Sequence, residues 1–167
     1  MHYCARFTET SSLLVRKNLS EKRGIVIAIV AAVIERADRR ILIGQRRRGD
    51  TSPLKWEFPG GKVEPGESDE VALARELREE LGAKMVKAAP IGRVVHRYAE
   101  TATPLEIRFF AASIEPGEVR GNEFEQIAWV LPKELGDYDF LAANAGLVAE
   151  LATGRIKPMT ILEGAGS

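Results

Sequence analysis

The 167-residue chain has one cysteine, Cys4, and no net charge, with 24 Lys and Arg against 24 Asp and Glu. A lone thiol excludes an internal disulfide and a cysteine-rich metal site. The charge balance excludes the basic excess by which proteins hold DNA or RNA, so no nucleic-acid polymer is expected as a partner. Long apolar runs are missing as well. The longest, "IVIAIVAAVI" from Ile25 to Ile34, falls far short of the roughly 20 residues that span a bilayer, and no membrane is expected as a partner. Residues 1–24 lack the apolar core of a secretory signal. Repeats and low-complexity tracts are absent. What remains is the expectation of a cytoplasmic protein, monomer or homodimer. It would have an N-terminal extension at 1–24, one domain at 25–160 and a flexible tail at 161–167.

The elements present alternate. Ile25–Glu35 predicts a buried strand, being a continuous β-branched run between Gly24 and the charged turn "RADRR". Ile41–Gln45 predicts a second strand and "KWEF" a short extended piece before Pro59. "VKAAPIGRVVHRY" predicts one or two strands broken near Pro90. "PLEIRFFAAS" predicts a half-buried strand with Leu105, Ile107 and Phe109 inward, and "QIAWVL" another strand. Pro132 opens a helical turn, and Ala142–Thr153 predicts a helix with Leu147, Val148 and Leu151 inward. Strands mixed with helices on this scale argue for a layered α/β domain.

The most informative stretch is "FPGGKVEPGESDEVALARELREELGA", Phe58 to Ala83. Ser68 predicts a helix N-cap, followed by Asp69 and Glu70, which the helix dipole favours. Gly82 predicts a left-handed stop after Leu81. Val71, Ala74, Leu77 and Leu81 make the expected buried stripe. Glu76, Glu79 and Glu80 are spaced to leave one other face together, and Arg75 can reach Glu79 at i+4. Three carboxylates on one face repel one another by a few tenths of a kcal/mol per pair. A helix built for stability alone would mix lysines among them, whereas hard divalent cations bind such clusters. The preceding loop has two turn points, Gly60-Gly61 and Pro65-Gly66.

This pattern resembles the Nudix box. Gly61, Glu67, Arg75-Glu76-Leu77, Glu79-Glu80 and Gly82 match its fixed positions in spacing and type; only the last, normally a bulky aliphatic, is the smaller Ala83. The resemblance implies a Nudix α/β/α sandwich with a mixed sheet between helices. It implies an enzyme, a Mg²⁺- or Mn²⁺-dependent hydrolase of nucleoside diphosphates linked to another group. By the same resemblance Glu76, Glu79 and Glu80 would be catalytic and hold metal together with the Gly60 carbonyl. Arg75 would orient carboxylates, Glu67 would brace the loop, and Gly61 and Gly82 would be structural. The general base would be Glu76 or a glutamate before the "IAWV" strand. Of Glu123 and Glu125 there, the family's spacing to the strand tryptophan, Trp129, selects Glu123 as a further metal-binding and catalytic residue.

Within the family, Ile25 to about Glu150 is similar to the MutT-like branch. That branch hydrolyses 8-oxo-dGTP and related nucleoside triphosphates to the monophosphate and pyrophosphate, sanitising the nucleotide pool ahead of DNA repair. The resemblance puts Arg46, Glu57, Phe58 and Asn144 at the nucleotide. Asn144 could also cap a helix, and Arg46 could be a solvated member of "RRR". Pyrimidine nucleotides such as CTP or 5-methyl-dCTP remain an alternative substrate class, and a non-catalytic nucleotide sensor an alternative role. Trp56 and Trp129 are expected to pack in the core, and His96 to lie at a strand end.

Overall fold

The computed structural model describes residues 26–98 and 103–165. The N-terminal extension expected at 1–24, and the last two residues of the expected tail, lie outside the described residues.

Strand β1 (Ile27–Ile34) serves two cores at once. Val30, Ala32 and Ile34 are buried on one side and Ala31 and Val33 on the other. A strand covered on both faces has no solvent side to make polar, hence the unbroken apolar run. It pairs in parallel with β6 (Leu105–Ile114), from Ile27↔Leu105 to Ile34↔Ala112. Its other edge pairs antiparallel with β4 (Gly60–Lys62), Ala31 opposite Gly60. With β5 (Met85–His96) outside β6, the four-stranded sheet has the order β4-β1-β6-β5. A second sheet is antiparallel, with β2 (Ile41–Gln45) between β3 (Trp56–Glu57) and β7 (Gln126–Val130).

Helix α1 (Asp69–Leu81) covers one face through Ala72, Leu73, Leu77 and Leu81. Helix α2 (Ala145–Ala152) covers the other through Leu147 and Leu151, beside Leu135 of the 3₁₀ turn Pro132–Asp137. The layering is the expected α/β/α sandwich, with two sheets between the helices rather than one.

Several local expectations are corrected. Val71 is 57% exposed, and the buried stripe of α1 runs through Ala72 and Leu73 instead, set by where the sheet lies. Strand β6 is not half-buried: Phe110 and Ala112 pack under α1 while Ile107 and Phe109 pack on the opposite face. The stretch around Pro90 is one strand, whose pairing slips between Pro90 and Gly92 where proline has no N–H to give. The helix expected over 142–153 begins as a 3₁₀ turn, Ala142–Asn144, before α2. A further helix, α3 (Pro158–Gly164), packs on β5 and β6, so residues 161–164 are helical where a tail is expected. The Lys87 ammonium reaches its Leu162 carbonyl.

Candidate active site

Local chemistry fixes α1 at both ends. Ser68 Oγ accepts the Val71 N–H at 3.3 Å, and Gly82, at φ 63°, closes the helix with its N–H on the Arg78 carbonyl. This delivers Glu76 and Glu80 to the first two residues of β4, Gly60 and Gly61. Glycine is required there by contact. A Cβ on Gly61 would lie 2.3 Å from Glu76 Oε1, and one on Gly60, at φ 148°, would lie 2.0 Å from the Val30 carbonyl oxygen.

Arg75 organises the acids beside it. Its Nε and Nη2 each donate to the Glu67 carboxylate at 2.9 Å, Nη1 donates to Glu76 at 2.8 Å, and Nη2 also reaches the Lys62 carbonyl at 3.0 Å. The guanidinium, with the Glu64 N–H, holds Glu67 down to about 2, and the same carboxylates raise Arg75. The expected i+4 contact to Glu79 is present but longer, at 3.4 Å. Glu79 differs from its two partners: its side chain is half exposed, whereas Glu76 is mostly buried. The three carboxylates thus do not share one environment.

Glu80 lies deepest. Its Oε2 accepts the Gly60 N–H at 2.8 Å. Burial pushes its pKa up to about 9 against that hydrogen bond, and the charges of Glu57, Glu76 and Glu123 push the same way. Burial also raises Glu57, opposed by Arg46. Among the described residues, no group of three acidic side chains is arranged as it stands to hold a metal ion. The donor chemistry nevertheless fits a hard divalent cation. Carboxylates that repel one another in a buried site, beside an exposable backbone carbonyl, are the oxygen donors such ions take.

Glu123 stands on the loop that docks on the end of α1, and its charge is among those acting on Glu80. Glu125, the other acid of that loop, is drawn to Arg48 at 3.3 Å.

On the far side of Gly60 opens a cavity of about 620 Å³. Arg46, Glu57, Phe58, Gly60 and Asn144, all singled out in the sequence, line it together. Arg46 forks onto Glu57 at 3.0 and 3.1 Å and donates to the Thr51 carbonyl at 2.8 Å, so it is not a solvated member of a basic run. Phe58 is buried against Phe109 and Phe140. Asn144 is 4% exposed and makes no helix-capping hydrogen bond with its side chain. Trp56 packs edge-on against Tyr138 as a core residue, and Trp129 takes the Arg36 guanidinium 4.4 Å over its ring. His96 ends β5, edge-on against Tyr98.

Sequence reasoning missed Tyr98, Lys62, Leu105 and Leu141, which also line the cavity. Burial raises the Tyr98 phenol, opposed by the Ala143 backbone N–H next to Asn144. Nothing local marks Tyr98, because the residues it joins in the cavity wall are distant in sequence.

The NUDIX domain family model matches residues 26–151. A CTP pyrophosphohydrolase of Escherichia coli is 37% identical over 125 residues, covering 74% of this chain and 89% of that protein. An 8-oxo-dGTP diphosphatase of Haemophilus influenzae is 33% identical over 126 residues, covering 75% and 91%. A solved structure from work on MutT of Aliivibrio salmonicida and Vibrio cholerae aligns with a TM-score of 0.64 at 32% identity. It covers 78% of this chain and 99% of that one. Among the described residues no helix is long and apolar enough to cross a membrane.

Proposed function

The chain belongs to the Nudix family and is a hydrolase, and from that premise we propose that it is a Mg²⁺-dependent nucleoside triphosphate pyrophosphohydrolase. Its substrates are oxidised nucleotides such as 8-oxo-dGTP in the cytoplasmic pool, and its products are the nucleoside monophosphate and pyrophosphate. One observation carries the reading: Arg46, Glu57, Phe58 and Asn144, from three separate segments, line one cavity whose wall at Gly60 is hydrogen-bonded to Glu80.

The nucleoside occupies that cavity. Phe58 and Tyr98 give it apolar surface, and the Asn144 amide, with one acceptor and two donors, suits two-point contact with a base edge. The triphosphate leaves past Gly60 towards α1, with Lys62 at the edge. Glu76, Glu79, Glu80, Glu123 and the Gly60 carbonyl would hold a divalent cation, which would supply charge neutralisation on the phosphates and a lowered pKa for the attacking water. Arg75 holds the Glu76 carboxylate in place through its 2.8 Å hydrogen bond. A water oxygen bonds to the β-phosphorus while the bridging bond to the α-phosphate oxygen breaks. The monophosphate keeps that oxygen, and a carboxylate, Glu76 or Glu123, takes the water's proton.

The test is steady-state hydrolysis with Mg²⁺ over 8-oxo-dGTP, dGTP, CTP and 5-methyl-dCTP, with products separated by chromatography. A kcat/KM for 8-oxo-dGTP far above that for dGTP supports the reading. A preference for cytosine nucleotides keeps the chemistry and transfers the substrate to the pyrimidines, which the similarity to a CTP pyrophosphohydrolase favours as second reading. Absence of turnover on all four refutes the proposal.

A further inference from the structure

Glu123 is exposed, and an acid on an exposed loop is ordinarily too mobile to be a dependable ligand. Its two neighbours are anchored. Asn122 donates its backbone N–H to the Glu80 carbonyl at 2.8 Å and its side-chain amide to the Glu79 carbonyl at 3.2 Å. Its own carbonyl accepts from Arg47 Nη2. Arg120 N–H takes the next free carbonyl of the helix, Leu81, at 3.0 Å. The loop therefore caps the last turn of α1, the turn that carries Glu79 and Glu80. On the other side, Phe124 is buried over Gly44, where a Cβ would lie 2.5 Å from its ring.

Arg47 adds a second tether. It follows Arg46, which lines the nucleoside cavity, and its backbone N–H is held by Asp50 at 3.0 Å. Two adjacent arginines thus serve different partners, one at the base cavity and one at the loop of Glu123.

Resting on the reading of Glu123 as a metal ligand, we propose that Asn122 and Arg47 are positioning residues that fix the backbone bearing Glu123 against the end of α1. Neither touches substrate or cation. Their action passes through Glu123, so their loss weakens cation binding and the chemical step and leaves the nucleoside contacts alone.

The experiment is titration of the full-length protein with Mn²⁺ alone, read by electron paramagnetic resonance, beside kcat and KM for the best substrate. Variants are Asn122→Ala, Arg47→Met, Arg47→Lys, Glu123→Gln and the double Asn122→Ala/Glu123→Gln, each checked by circular dichroism for a wild-type melt. Asn122→Ala and Arg47→Met are each expected to weaken Mn²⁺ binding roughly tenfold, the lower end of the cost of losing an outer hydrogen-bond partner. Both should lower kcat at unchanged KM, and Arg47→Lys should recover part of the loss. The double variant should bind Mn²⁺ no worse than Glu123→Gln alone, since residues acting through one group do not add.

Additive losses, or wild-type Mn²⁺ binding by Asn122→Ala and Arg47→Met while Glu123→Gln is impaired, overturn the positioning role and leave the ligand reading standing. Wild-type behaviour of Glu123→Gln overturns both at once.

Discussion

At Glu80, burial and neighbouring acids act in one direction, and the consequence for stability has a definite sign. The folded protein holds the Glu80 proton to about pH 9, whereas the unfolded chain releases it near the ordinary 4.5. The folded state binds more protons across that window, so this group's contribution is full below the window and is lost as pH rises through it. Glu80→Gln should flatten the fall in melting temperature with rising pH, measured in EDTA, while cutting turnover roughly 10- to 100-fold or more through weakened cation binding. Cation binding needs the carboxylate and should tighten with pH over the same window. Glu67 runs the other way. Held down to about 2 by Arg75, it contributes stability present above 4.5 and lost as pH falls through 2. Glu67→Gln should remove that part of the acid-side loss in a melting series. The sequence displayed these acids and their spacing but not their inequality. Glu79 half exposed and Glu80 largely covered are facts about what packs above each, which helical periodicity does not contain.

At the scale of the element, α1 was legible at its ends and not along its side. Capping is local: Ser68, the first-turn acids and Gly82 act on backbone groups within a turn, so residue type alone predicts them. The buried stripe depends on where the sheet lies, and Val71 fits the spacing yet faces water. The glycines of this segment separate stability from function. Gly82→Ala forces a Cβ into a left-handed conformation and should cost about 1–2 kcal/mol in denaturant unfolding, with modest change in kcat. Gly61→Ala puts its Cβ onto the Glu76 carboxylate and should depress kcat far more than the melting temperature. Equal losses in both variants would contradict that division.

For the whole molecule, the cavity is assembled from both sheets and from the turn before α2. A ligand seated there with a cation should therefore stabilise the entire fold. At about 100 times its Kd, a non-hydrolysable nucleoside triphosphate with Mg²⁺ should add about 2.7 kcal/mol, seen as an upward thermal shift absent with either alone. The α/β class and the box were readable because they are written in contiguous residues. Tyr98 in the cavity wall, and two sheets in place of one, were not, because both depend on how distant segments come together.

The parallel pairing of β1 with β6 sets the order in which a growing chain can become this protein. β1 leaves the ribosome early with only β4, three residues long, to pair with it soon afterwards. Its other edge waits for Leu105–Ile114. Until then α1 has only an unfinished surface to pack on, and an apolar strand stands half unpaired, the kind of edge that recruits other chains. Nascent chains halted before Leu105 should be bound by chaperones or degraded, whereas those released beyond Ala152 should fold in one step.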